Sequence, residues 1–266
     1  MRKIPALLVA ALALSIVTAA AQAHELRVVA DPYQVASPGE RTTVFLSWGH
    51  SLADDNPVAA ETLERYDLIA PGGSVSPLAR EGLAVQANAR TLSEPGVYQV
   101  AASRQATVLT YVRDAEGNRL MRRGPKSSVT EGDIDYGQRS QHTAKALLVA
   151  GTPGAGAVEP AGLPLEIVPL DGPDRWRAGR TIRFQVLFDG QPADRELLLA
   201  AYDGFEPEEA WCYAIQTDGE GVAPLRADQP GLWTLLVRVR KLADEATRPE
   251  YDYESTTTTL TMPIRP

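Results

Sequence analysis

The stretch RAGRTIRFQVLFDGQPADRELLLAAYDG, residues 177–204, decides the fold class. Within it TIRFQVLFDG mixes β-branched and aromatic residues with polar ones in near alternation, the pattern of a half-buried strand. Asp189-Gly190 supplies the turn that follows. LLLAAYDG could be a buried helix, but its length favours a strand. The next stretch, TDGEGVAPLRADQPGLWTLLVRVR (217–240), repeats the arrangement with Asp218-Gly219 at a hairpin tip. Hairpin-linked strands over about 100 residues predict an immunoglobulin-like sandwich.

Working outward, RTTVFLSW (41–48), VYQVAAS (97–103), TVLTYVR (107–113), TTTTLTM (256–262) and an apolar run at 144–150 also read as strands. Pro38-Gly39, Pro71-Gly72-Gly73 and Glu94-Pro95-Gly96 punctuate them. Helical character is confined to the region of Ala59 to Glu64, and Arg113 to Asp135 reads as a polar surface excursion. AGTPGAGAVEPAGLP (150–164) has a linker's composition without apolar period. The expectation is an all-β chain of two β-sandwich domains, at 24–150 and 164–266, joined by 151–163, the second domain immunoglobulin-like. Trp48, Val97 and Val100 are expected in the first core, and Phe184, Val186 and Trp233 in the second.

Residues 1–23 have the layout of a secretory signal: Arg2 and Lys3, an apolar run from Ile4 to Val17, then Ala21-Gln22-Ala23. The run is shorter than the roughly 18 residues that span a membrane, so export with cleavage before His24 is expected, to the periplasm or beyond, with no membrane span left. Cleavage removes two basic groups, so a formal charge of −8 becomes −10. That acidity argues against nucleic acid and anionic membrane surfaces as partners. The single cysteine, Cys212, excludes an internal disulfide and reads as a buried thiol.

The chain has three histidines: His24, His50 and His142. Cleavage before His24 gives that residue a free amine beside its ring Nδ1, a pair that chelates one metal. Nitrogen-rich tetragonal sites of this kind suit Cu(II) and Ni(II). His50 follows the strand ending at Trp48 and its Gly49 bend, where sites are commonly displayed. His142 precedes an apolar strand. Asp54-Asp55 reads as a solvated turn that lies close to His50 in sequence. YDYES (251–255) interleaves aromatic and acidic residues before the last strand. The chain has no nucleophile elbow, H-E-x-x-H helix or phosphate-binding Gly loop, and nothing here commits it to an enzymatic activity.

In order along the chain, Ala23-His24, LSWGH (46–50), PLEIVPL (164–170), FDGQP (188–192), the Asp218 to Gly221 turn, PGLW (230–233) and YDYES resemble periplasmic components of nickel and cobalt uptake, the NikM-like proteins of an uncharacterised-domain family. The resemblance implies an accessory to nickel or cobalt uptake that hands a divalent metal to a membrane importer or other envelope protein. Family members often carry a histidine where this chain reads Val237-Arg238-Val239-Arg240. The candidate ligands are therefore His24, His50 and His142, for nickel, cobalt or copper. Two other classes stand beside this one. An envelope interaction module predicts histidines lying far apart. A copper-dependent oxidase predicts an open coordination position facing a groove, with an aromatic beside it.

Overall fold

The computed structural model describes residues 24–49, 56–152, 154, 156–205 and 211–266. The longer N-terminal strands are β1 (Glu25–Asp31), β2 (Arg41–Gly49), β3 (Leu63–Ile69), β4 (Gln86–Thr91), β5 (Gly96–Arg104), β6 (Thr107–Arg113), β7 (Arg119–Arg123) and β8 (Asp133–Ala150). After them come β9 (Leu165–Pro169), β10 (Arg180–Phe188), β11 (Leu197–Tyr202), β12 (Tyr213–Gln216), β13 (Val222–Ala227), β14 (Gly231–Leu242) and β15 (Tyr253–Ile264). The helical character near Ala59 amounts to one 3-10 turn, Ala60–Thr62. The stretch expected as a surface excursion forms β7, a mostly exposed strand paired with β6. No helix among the described residues is long and apolar enough to cross a membrane.

The protein is all-β, and its strands pack as sandwiches. In the C-terminal part β9-β10-β13 faces β12-β11-β14-β15, the strand arrangement of an immunoglobulin-like domain. Their inward residues, among them Ile167, Phe184, Val186, Trp233 and Leu260, form one core. In the N-terminal part the small sheet β1-β2-β4 covers a second core containing Leu26, Val44, Leu46, Tyr66, Val100 and Leu148. Trp48 packs at the margin of this second core, whereas Val97, expected with it, packs against the C-terminal core instead.

One sheet serves both cores. β15 runs parallel to β8, pairing from Gln138↔Tyr253 to Ala146↔Thr261, and β8 continues through β5 to β3. With 18 residues, β8 is about 60 Å long at roughly 3.3 Å per residue. Residues 143–150 of β8 are buried on both faces: Ala144, Ala146 and Leu148 point into the N-terminal core, Leu147 and Val149 into the C-terminal one. This explains its apolar run, interrupted only by the paired Lys145, since a strand covered on both faces has no polar alternation. The threonines of β15 have the same logic. Leu260, Met262 and Ile264 enter the C-terminal core. On the other face the hydroxyls of Thr259 and Thr261 donate to the carbonyls of Leu26 and Val28 in β1, at 2.6 and 2.5 Å.

The segment expected as a linker carries the chain from one core to the other and is packed where described. Val158 joins the C-terminal core, and Leu163 packs with Ile69 and Ala101. It is pinned by Glu166, whose carboxylate accepts the N–H groups of Ala161, Gly162 and Leu163 at 2.7, 2.9 and 3.1 Å. The same carboxylate meets Lys145 Nζ of β8 at 2.5 Å, both side chains being 1% exposed. Cys212, expected buried, is half-buried, and its thiol donates to Ala200 O at 3.1 Å. Burial pushes that thiol's pKa up.

Candidate functional site

β1 and β2 are antiparallel with Glu25 opposite Gly49 and Leu26 opposite Trp48. Side chains alternate across a strand, so His24 shares the inward parity of Leu26 and Val28, Trp48 that of Val44 and Leu46, and His142 that of Ala144 and Ala146. These three inward positions end at the same rim of the N-terminal core. The Trp48 ring stacks on His24 at 5.6 Å between centroids, 13° from parallel, and lies nearly perpendicular to the His142 ring at 4.7 Å between centroids. Trp48 thus contacts two of the three expected histidines. His50, with Asp54-Asp55, lies outside the described residues.

Asn56 forms a bridge with Trp48, donating its N–H to Trp48 O at 3.0 Å, and its side-chain Nδ2 lies 2.8 Å from His24 Nε2. With the amide nitrogen donating, Nε2 accepts and the ring proton resides on Nδ1; turning the amide would serve the opposite tautomer. His142 is half-buried, but its Nδ1 is sealed from solvent and has no hydrogen-bond partner among the described residues. Its pKa falls to about 3, first through burial and then through Arg104, Arg238 and His24. The imidazole is therefore neutral across the physiological range, and leaving its buried nitrogen unsatisfied among the described residues costs about 1–3 kcal/mol.

Arginines complete the rim. The Arg104 guanidinium lies 4.1 Å above the Trp48 ring, and its pKa is lowered by burial and then by Arg123. Arg238 donates from Nε to Thr257 Oγ1 at 3.1 Å and lies 3.9 Å from Glu25 Oε1. Thr257 is the residue of β15 opposite both His142 and Arg238. Sequence reasoning missed Trp48, Asn56 and these arginines as site residues; a tryptophan at a strand end reads as core. Among the described residues no group of three or more His, Cys, Asp or Glu side chains is placed to hold a metal ion.

No curated protein matches the chain. Among solved structures, the D0-D1 domain of intimin is 12% identical over 88% of this chain and 96% of its own, with a TM-score of 0.21. A tetra-tandem repeat from the extending region of a large adhesion protein is 10% identical over 90% and 74%, with a TM-score of 0.20. The fibronectin(III)-like modules of Clostridium thermocellum CbhA are 10% identical over 88% and 94%, with a TM-score of 0.19. Likenesses at such scores carry no argument about this chain, and its fold class rests on its own strand topology. A family model matches residues 21–241, from just before His24 to the end of β14, and the chain belongs to that family, described as Domain of unknown function (DUF4198).

Proposed function

We propose that this is an exported protein that binds a divalent transition metal at the His24–Trp48–His142 rim and passes it to an importer or another envelope protein. The observation that carries the reading is His142 Nδ1: a buried, neutral imidazole nitrogen left without a partner among the described residues. A metal ligand must be a neutral imidazole. His24 brings a second ring, and after cleavage at Ala23 its amine a third nitrogen; His50 is the remaining candidate from the sequence. Binding through the His24 Nδ1 requires that proton to leave, with Asn56 presenting its oxygen to the new Nε2–H. Nickel, cobalt and copper all suit such nitrogens, with copper the tightest in vitro whatever the physiological cargo.

The test is native mass spectrometry and tryptophan fluorescence on protein that begins at His24, titrated with each of the three metals. Binding should quench Trp48, a signal that Trp48→Phe removes. His142→Gln, or one alanine added before His24, should weaken binding about tenfold or more. Equal binding by all these forms would refute the site. Trp48 beside His24 also suits a copper oxidase, and that reading predicts oxygen consumption by the copper-loaded protein with a reductant.

A further inference from the structure

The face of the central sheet that carries His142 continues past the edge of the β1-β2-β4 cover. Successive rows across β8, β15 and β14 read His142–Thr257–Arg238, Ser140–Ser255–Arg240 and Gln138–Tyr253–Leu242. Tyr136 and Tyr111 follow, stacked at 4.6 Å. The Arg240 guanidinium lies 3.7 Å over Tyr253 and 5.3 Å from Tyr136, and Arg119 lies 5.7 Å from Tyr136. Arg123, in register with Leu109 and through it with Gln138, shares this face.

Arginines 104, 119, 123, 238 and 240 therefore gather on one side of a chain whose formal charge is −8. Asp135 pairs with Arg119 at 2.7 Å. Among the described residues, Arg104, Arg123 and Arg240 have no carboxylate partner. Tyr253 supports the Arg240 guanidinium and Trp48 the Arg104 guanidinium, and a planar guanidinium takes a carboxylate two bonds at a time. This charge also bears on the metal. A bare dication approaching His142 meets the positive charge of Arg104, whose guanidinium lies 4.1 Å above the neighbouring Trp48 ring.

We propose that the arginine face recognises an organic polycarboxylate, and that the metal arrives as its anionic chelate. The carboxylates meet the arginines, and the histidine nitrogens take coordination positions the chelator leaves open. This rests on the metal reading given above and names the form of the cargo. Carboxylates could also come from an acidic segment of a partner protein. The metal dependence of binding separates the two sources, because side-chain carboxylates need no metal to dock.

The experiment is calorimetric titration of protein beginning at His24 with nickel chloride, citrate, and equimolar nickel citrate, repeated with copper, and with a poly-glutamate peptide as the macromolecular carboxylate. The chelate is expected to bind at least tenfold more tightly than either component. Arg123→Gln/Arg240→Gln, two surface changes whose folding is checked by circular dichroism, should abolish that advantage while leaving free-metal affinity unchanged or raised. His142→Gln should weaken free metal and chelate alike. Free metal bound as tightly as its chelate overturns this proposal and leaves the metal reading standing. A chelate advantage that survives the arginine changes does the same. Metal-free citrate or poly-glutamate binding as tightly as the chelate overturns it in favour of a plain anion-docking face. If neither free nor chelated metal binds, the metal reading falls and this proposal falls with it.

Discussion

Replacing Lys145 with methionine and Glu166 with leucine, singly and together, tests how the crossing between the two cores is held. Both side chains are 1% exposed. Breaking a buried pair by removing one partner costs about 3–5 kcal/mol, mostly for the charge left behind. The two halves of this pair are unequal. Without Lys145, Glu166 keeps three backbone N–H donors from Ala161, Gly162 and Leu163, so Lys145→Met should cost about 2–3 kcal/mol, at or below the low end of that range. Without Glu166, three backbone N–H groups, that of Leu163 buried, and a buried ammonium lose their partner together. Glu166→Leu should therefore cost about 5 kcal/mol or more, a large share of a typical 5–15 kcal/mol stability.

Burial already lowers the Lys145 pKa, against the opposing pull of Glu166. With Glu166 gone that opposition goes too, and the folded chain holds the lysine proton less tightly than the unfolded chain does. The stability of Glu166→Leu should then rise with pH from neutrality towards about 10, where the unfolded lysine titrates. The double variant should be more stable than Glu166→Leu alone, since it removes the stranded ammonium. Urea unfolding followed by tryptophan fluorescence gives the free energies, and hydrogen exchange at Ala161 to Leu163 reports the segment itself. A Lys145→Met cost equal to or above that of Glu166→Leu, or a double variant less stable than Glu166→Leu, would refute the reasoning.

Three further outcomes follow from the same geometry. Gly221 has φ +71°, and a Cβ there would meet Val186 O at 2.7 Å and Ala193 N at 2.9 Å, while nothing lies within 4 Å of one at Gly219; in denaturant melts Gly221→Ala should cost about 2–4 kcal/mol and Gly219→Ala under about 1. Burial pushes the Asp252 carboxyl up, but Lys126 and the Gly137 N–H outweigh it and hold the pKa below the usual range. Its contribution is then present above about pH 3.9 and lost as pH falls through the lower folded value, so the Tm gap between wild type and Asp252→Asn should narrow in acid; a gap that widens there contradicts this. Thr259→Val and Thr261→Val each remove a hydroxyl bond to a β1 carbonyl and should cost about 1 kcal/mol apiece in the same melts.

Much of the fold was legible because a two-residue period is a local property. β6 matches the sequence reading end to end, and β10 and β14 depart from it only at their ends. What was not legible is which strands neighbour one another. The parallel pairing of β8 with β15 joins residues about 115 apart in sequence, and neither strand's pattern names the other. Both nevertheless show that two faces are covered: β8 in an apolar run broken only by Lys145, β15 in threonines alternating with Leu260 and Met262. The Gly- and Pro-rich crossing gave no signal either, because its described contacts include backbone N–H groups on a single carboxylate, and backbone contacts leave no side-chain period to read.

The same distinction explains the site. Parity alone says that His24, Trp48 and His142 point inward, and each lies where its strand's covered stretch begins or ends. But β2 and β8 belong to opposite sheets, and a period of two fixes the direction of a side chain without fixing how far along the opposing strand it lands. Only the packed sandwich puts Trp48 against both rings. The arginines are a step further removed: Arg104, Arg123 and Arg238 come from β5, β7 and β14, whose relation to His142 passes through one or two intervening pairings. In the sequence each is an ordinary polar residue on a strand. The positive charge of the rim is a property of sheet order, and sheet order was the part the sequence did not contain in readable form.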